Sequence, residues 1–381
     1  MPPMTTFEPI QMVDLKTQYQ AIQAEVEAGI RHVLETNQYI NGGPVKSFTQ
    51  NLATYLDARQ VIPCGNGTDA LQVALMALDL KPGDEVITAP FTFIATAEVI
   101  SLLGLVPVFA DVDPLYFNLD PADVARKITD RTRVIMPVHL YGQTAPMEPL
   151  MDLATEHGLT VIEDNAQAIG ADYLFRDGRR VKAGMIGQIG CTSFYPSKNL
   201  GAYGDGGAIM TNDEPLGAKI NMIANHGSKV RYYHDVIGVN SRLDSIQAVV
   251  LDVKLRFLDD YIARRQAAAA AYDAGLSGIP QVITPARAPW STHVFHQYTL
   301  RVTERRDALK DALQEAGIPS MIYYPVPLHL QPAYAGYGYR KGDFPISEQL
   351  AEEVISLPMH TELTVDQIDH ICSTIRQFYH A

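Results

Sequence analysis

Between residues 60 and 212, short apolar runs alternate with longer stretches in which apolar side chains recur every three or four positions. The short runs predict buried strands at 61–63, 85–89, 106–111, 134–140, 160–164, 190–194 and 207–211. The longer stretches predict crossover helices at 70–78, 95–103 and 147–157. Strand and helix in repeated alternation wind a mostly parallel sheet, so this region reads as an α/β domain. Upstream, 15–36 is an amphipathic helix, which Gly42-Gly43-Pro44 breaks from the next. Downstream, helical periodicity runs from 243 to 272 and stops at Gly275 and Gly278. A strand at 295–302, a helix at 306–316 and a loop running from Tyr323-Tyr324-Pro325 to Pro332 follow. The pattern predicts a large α/β domain over 1–255, including the N-terminal helix, and a smaller C-terminal α+β domain over 256–381.

Composition removes several classes of function. The 381 residues are 47% hydrophobic and 19% charged, which predicts an ordered chain without disordered or coiled-coil character. A formal net charge of -13 and the lack of any Lys/Arg-rich run exclude phosphate-tracking nucleic-acid binding. Cys64, Cys191 and Cys372 show neither CxxC spacing nor a zinc-type cluster, so no metal is expected and a reducing, cytoplasmic setting is the simplest fit. The N-terminal eight residues lack the basic and apolar regions of a leader, and no apolar run is long enough to span a bilayer, so neither export nor membrane insertion is expected.

Ligands of open α/β sheets collect where several strands end, and four of the predicted strand ends carry chemistry. After the first comes Gly65-Asn66-Gly67-Thr68-Asp69, opening into a helix; it reads either as a helix cap by Thr68 or Asp69 or as a phosphate cradle of glycine amides and a hydroxyl. After the second, Phe93 is placed either in the core or stacked on a planar ring. The strand 160–164 closes on Asp164, a carboxylate that needs a strong partner: a cap, an ion pair or a protonated ring nitrogen. The fourth end, Ser193 to Lys198, precedes a glycine-rich stretch; a lysine held there among apolar neighbours is deprotonated more easily and can condense with a carbonyl. An anion cradle, a stacking ring, an aspartate and a lysine in this order describe pyridoxal phosphate, with the lysine bound to its aldehyde as a Schiff base.

With those residues in place, the chain resembles the DegT-type sugar-nucleotide aminotransferases, pyridoxal-phosphate enzymes of fold type I. The resemblance runs through Asn41-Gly42-Gly43-Pro44, Asn66-Gly67-Thr68-Asp69-Ala70-Leu71, Pro90-Phe91-Thr92-Phe93, 138–142, Glu163-Asp164-Asn165-Ala166-Gln167, 194–207, Asn240-Ser241-Arg242-Leu243-Asp244 and Tyr324-Pro325-Val326-Pro327-Leu328. It implies that Lys198 is the cofactor lysine, that Asp164 meets the pyridine nitrogen and that Gln167 lies beside the ring hydroxyl. It also implies that Gly67, Thr68, Asp69 and Ser193 surround the phosphate, that Phe93 stacks on the ring, and that Asn240 reaches the phosphate of a neighbouring subunit in a homodimer with shared active sites.

Relatives with histidine at the lysine position look like dehydratases, so Lys198 places the chain with the transaminases. The implied reaction is ping-pong: L-glutamate gives its amine to the cofactor, which becomes pyridoxamine phosphate, and a ketosugar then takes it. Expected acceptors are nucleotide-linked 3-ketosugars of surface-polysaccharide or glycoconjugate pathways, such as UDP-2-acetamido-2-deoxy-3-oxo-glucuronate; a dTDP-linked 3-keto-6-deoxyhexose, or a 4-ketosugar, is the alternative. Arg242 is expected either to pair with a sugar carboxylate or to form an ion pair with Asp244, while Tyr323, Tyr324 and His329 are expected to line the sugar pocket. Two other classes on this fold, a lyase and a cofactor-binding regulator, lack respectively a mobile cysteine loop and a basic helix-turn-helix segment here.

Overall fold

A computed structural model describes residues 9–380, so the segment 1–8 read above for a leader lies outside the described residues. Two helices, α1 (Leu15–Thr36) and α2 (Gly43–Leu56), lead into β1 (Gln60–Cys64). Then α3 (Gly67–Met76), β2 (Glu85–Thr88), α4 (Ala95–Leu102), β3 (Val106–Phe109), α5 (Pro121–Lys127), β4 (Thr132–Ile135), α6 (Met147–His157) and β5 (Thr160–Asp164) alternate. A hairpin of β6 (Asp172–Leu174) and β7 (Arg180–Lys182) precedes β8 (Ile189–Ser193), β9 (Gly207–Thr211) and α7 (Glu214–Ala224). Seven strands form the main sheet in the order β1-β9-β8-β5-β4-β2-β3, with β9 antiparallel to both neighbours and the other pairs parallel. Val86, Ile87, Val134, Ile135, Val161 and Ile162 are fully covered, as a sheet with helices on both faces requires.

Three boundaries differ from the sequence pattern, each for a local reason. The run expected as one helix over 243–272 is two, α8 (Ser245–Leu255) and α9 (Leu258–Leu276), with Phe257 at φ -105, ψ 2 between them. Asp259 and Asp260 sit in the first turn of α9, where carboxylates favour a helix start. The expected strand 295–302 begins only at Tyr298, because Phe295 has φ 47 and cannot extend. The expected strand 134–140 stops at Ile135; its tail bridges Val138 to Asp164 and then turns at Tyr141, φ 59.

Between α7 and α8, the hairpin of β10 (Ser228–Val230) and β11 (Tyr233–His234) leaves Val230, Tyr232, Tyr233 and Ile237 exposed. The C-terminal part holds a three-stranded antiparallel sheet, β12 (Val282–Ile283), β13 (Tyr298–Val302) and β14 (Val354–Leu357), with α10 (Arg306–Glu315), α11 (Pro345–Glu353) and α12 (Val365–His380). Helix α9 joins two cores: Leu258 and Ile262 pack with the large sheet's helices, whereas Ala268, Ala269, Tyr272 and Leu276 pack with β13 and α12. The loop after β13 and α10 returns to the large sheet. Its Leu328 amide donates to Pro90 O at 2.7 Å, and the Tyr337 hydroxyl bonds Ser101 Oγ at 2.8 Å.

Candidate active site

The carboxyl ends of β1, β2, β5 and β8, and the turn that follows β4, open on one cavity of about 890 Å³. Of the site residues expected from sequence, it brings together Gly67, Thr68, Asp69, Phe93, Asp164, Gln167, Ser193, Lys198, Tyr323 and Tyr324.

At the start of α3, neither Thr68 nor Asp69 is the cap. Asn66 takes that place, its Oδ1 accepting from the Asp69 amide at 2.8 Å, because Asn66 is the last extended residue before the helix. A Cβ on Gly67 would fall 2.6 Å from Ser193 Cβ, so glycine lets the helix start press against the end of β8. Asp69 Oδ2 accepts from Ser241 Oγ at 2.6 Å, and Ser241 Oγ accepts from the Gly65 amide at 2.9 Å. The carboxylate thereby braces the cavity floor. A helix start with free amides, flanked by Thr68 and Ser193 hydroxyls, suits an anion.

Across the cavity Asp164, 5% exposed, accepts from Thr96 Oγ1 at 2.7 Å and from the Ala166 amide at 3.1 Å. Gln167 Oε1 accepts from the Tyr141 amide at 2.6 Å, and its Nε2 donates to the Tyr324 hydroxyl at 3.1 Å. The Tyr141 hydroxyl donates to the carbonyl of Tyr323, which ties the C-terminal loop to the β4 turn. Behind Asp164, the buried Glu163 carboxylate accepts from the amides of Gly184 (2.9 Å), Ile186 (2.6 Å) and Gly187 (2.6 Å) and lies 2.8 Å from His139 Nε2. His139 Nδ1 accepts from the Ala145 amide at 3.1 Å, so its proton sits on Nε2 and is donated to Glu163.

The Lys198 amine borders the cavity without a hydrogen bond to any of the described residues, and burial lowers its pKa from 10.5 to about 8 although Asp164 opposes the shift. Below that midpoint the amine is protonated and inert. Reductive methylation of Lys198 in cofactor-free protein is therefore expected to be half-complete near pH 8, read by peptide mass spectrometry; a midpoint near 10.5 would contradict the burial. Phe93 is 55% exposed, with its ring 6.3 Å from that of Tyr324, and so offers a face to a planar ligand.

Three expected residues are elsewhere. His329 is 2% exposed, with Nε2 3.0 Å from Glu348 Oε1 and its ring 4.7 Å from Phe344. The short turn Leu328–Leu330 carries it into an aromatic cluster of Phe109, Tyr334 and Phe344, away from the cavity. Arg242 lines a separate cleft with Asn41, Lys46 and Asn225 and makes no ion pair with Asp244. Asn240 is exposed and does not border this chain's cavity. Conversely, Thr92, Thr96, Tyr141, Tyr195, Asp205, His296 and Gln297 belong to the site or its support, and sequence reading did not single them out. Of these only Thr96, one turn beyond Phe93 on α4, carried a local signal.

The arrangement fits pyridoxal phosphate: an anion cradle, an aromatic face, a buried carboxylate and an unbonded amine on one cavity. Comparison with known proteins points the same way. The chain is 45% identical over 377 residues to UDP-N-acetyl-3-dehydro-alpha-D-glucosamine 3-aminotransferase of Acidithiobacillus ferrooxidans, covering 99% of this chain and 100% of the relative. It is 44% identical over 366 residues to UDP-2-acetamido-2-deoxy-3-oxo-D-glucuronate aminotransferase of Pseudomonas aeruginosa, covering 96% and 99%. Among solved structures, DesV of S. venezuelae in complex with a ketimine intermediate superposes with TM-score 0.94 at 41% identity, covering 98% and 100% of the two chains. NtdA of Bacillus subtilis, with bound cofactor PMP, superposes with TM-score 0.90 at 28% identity, covering 99% and 87%. The family model for DegT/DnrJ/EryC1/StrS aminotransferases matches residues 20–376. On its sequence, fold and site, the chain belongs to the DegT/DnrJ/EryC1/StrS aminotransferase family.

Proposed function

We propose that the protein is a pyridoxal-phosphate aminotransferase that moves the amine of L-glutamate onto C3 of a UDP-linked 2-acetamido-3-ketosugar. The observation that carries the reading is the unbonded Lys198 amine on the same cavity as Asp164, Gln167 and the Gly67–Ser193 approach. Bound there, the cofactor supplies an electron sink that lets a carbon–hydrogen bond next to nitrogen ionise. The protein's residues do the rest. Asp164, oriented by Thr96, would hold positive charge at the ring nitrogen, and Thr68, Ser193 and the α3 amides would hold the phosphate. Lys198 Nζ would serve as the general base that takes the proton from the donor's carbon and the general acid that gives it back. Tyr323 and Tyr324, carried by the loop after α10, face the sugar.

The acceptor is supported by the full-length likeness to two 3-ketosugar enzymes. Arg242 lies outside this chain's own cavity, two residues beyond Asn240, so in a shared-site dimer its guanidinium would serve the partner's cavity. With glutamate and a panel of UDP- and dTDP-linked 3-keto and 4-keto sugars, a UDP-linked 2-acetamido-3-ketosugar, the glucose or the glucuronate form, is expected to be aminated with the highest kcat/KM. Preference for a dTDP-linked 6-deoxy-3-ketosugar would move the assignment to that class, and turnover of small amino acids alone would end the sugar reading.

A homodimer with shared sites belongs to the same proposal. Asn240, exposed and away from its own cavity, follows the hairpin whose Val230, Tyr232, Tyr233 and Ile237 have no cover. Sedimentation is expected to give a dimer, and mixing Lys198→Ala with Asn240→Ala protein to recover activity that neither has alone; a fully active monomer would refute it.

A further inference from the structure

His296 has no part in the mechanism above, yet it borders the cavity together with Lys198. The residue is 6% exposed, and its Nδ1 is buried without a hydrogen-bond partner among the described residues. Buried imidazole nitrogens are ordinarily paired.

Its segment is pinned from several sides. The Val294 amide donates to Gly142 O at 2.8 Å and the Gln297 amide to Tyr141 O at 3.2 Å. Gly142, at φ +109, permits this approach: a Cβ there would lie 2.8 Å from the backbone nitrogens of Phe295 and His296. Asn199, adjacent to the lysine, donates Nδ2 to Val294 O at 2.9 Å, which sets the lysine's segment against the histidine's. From α9, the buried Arg265 donates Nη1 to the carbonyls of Phe295 at 3.0 Å and Met359 at 3.0 Å, with His296 O at 3.5 Å. No carboxylate pairs with Arg265 among the described residues. Burial, with Lys198 and Arg265 nearby, keeps the imidazole neutral, well below its ordinary pKa. A neutral imidazole can accept a hydrogen bond from an ammonium.

We propose that His296 is a positioning residue for Lys198: its imidazole, which Nζ does not contact in the structure, accepts the hydrogen bond of the Lys198 ammonium when the freed side chain turns toward it. Nζ is then held toward the substrate carbon instead of swinging in the cavity. The proposal rests on the aminotransferase reading for its catalytic consequence, but not for the contact itself. The other groups facing the pair are Asp164 from β5, Asp205 and Tyr195 from the loop after β8, Tyr141 from the β4 turn, Tyr323 and Tyr324 from the C-terminal loop, and Arg265 from α9. All are kept in the variants below.

Two variants separate positioning from packing: His296→Leu removes the acceptor, and His296→Gln keeps one. In cofactor-free protein, the pH midpoint of Lys198 methylation is expected to fall by about one unit in His296→Leu, since the ammonium loses a stabilising partner, and to stay near wild type in His296→Gln. In the holoenzyme, the single-turnover rate with glutamate is expected to drop about 10- to 100-fold in His296→Leu, with the glutamate KM little changed and partial recovery in His296→Gln. An unchanged midpoint and rate in folded His296→Leu, or equal impairment of both variants, would overturn the proposal. If His296→Leu does not fold, His296→Phe takes its place. A wild-type protein that neither retains pyridoxal phosphate nor reacts with glutamate counts against the aminotransferase reading, while the midpoint shift still decides the His296–Lys198 contact.

Discussion

Lys198→Ala leaves amine transfer at least about four orders of magnitude below wild type, with thermal stability unchanged or slightly raised. Both halves of the expectation follow from one placement. The amine is in a cavity that disfavours its charge, so removing it relieves a desolvation cost and breaks no hydrogen bond. The same removal takes away the group that holds the cofactor covalently and the base that moves its proton. Borohydride reduction of wild-type protein loaded with pyridoxal phosphate should leave the cofactor on the peptide containing Lys198, and the variant should leave none. Lys198→His is the informative contrast: an imidazole accepts a proton but forms no Schiff base, so isotope exchange at the donor's α-carbon could persist while amine transfer does not. Turnover of Lys198→Ala within tenfold of wild type would remove Lys198 from the mechanism.

Glu163→Ala is expected to destabilise the fold by about 3–5 kcal/mol, the largest cost of any single polar truncation near the site. The carboxylate is fully buried and gathers three amides of 184–187 and the His139 ring. Alanine would leave these donors facing a void in place of a charged acceptor. Glu163→Gln keeps the volume and one acceptor oxygen, so its loss should be smaller. Urea denaturation measures both; a change under about 1 kcal/mol for Glu163→Ala would show that the loop repacks around the gap. Because Glu163 adjoins Asp164, and the His139 amide donates to Asp164 O at 3.0 Å, a loosened strand end should also weaken cofactor retention in the alanine variant.

The sheet and its polar strand ends were legible because both are local. Alternation of apolar runs and helical periods marks the strands, and Asp164, Ser193 and Lys198 stand where those runs stop. What escaped depends on contacts between distant segments. His296 reaches the cavity only because Tyr141 and Gly142 adopt positive φ and Asn199 bonds Val294; no short window of sequence encodes that meeting. His329, expected to line the sugar pocket, failed in the opposite direction: Phe344 and Glu348, brought in by the start of α11, enclose it away from the cavity. The break between α8 and α9 went unread because Arg256 and Phe257 interrupt no apolar periodicity, and residues on both sides of it, Leu251, Leu255, Leu258 and Ile262, pack into the same core.

The clasp between Leu328 and Pro90 divides labour in a way that bears on how such a protein can change. Groups suited to the cofactor sit on the large sheet and the loops leaving it, whereas Tyr323 and Tyr324 arrive on a separate stretch of chain fastened just beyond them. Mutations in that stretch can alter which sugar is accepted without disturbing the amine chemistry, provided the fastening holds. Acceptor preference should therefore be transplantable: exchanging residues 321–327 with those of another family member ought to transfer sugar choice, while glutamate use stays with the recipient.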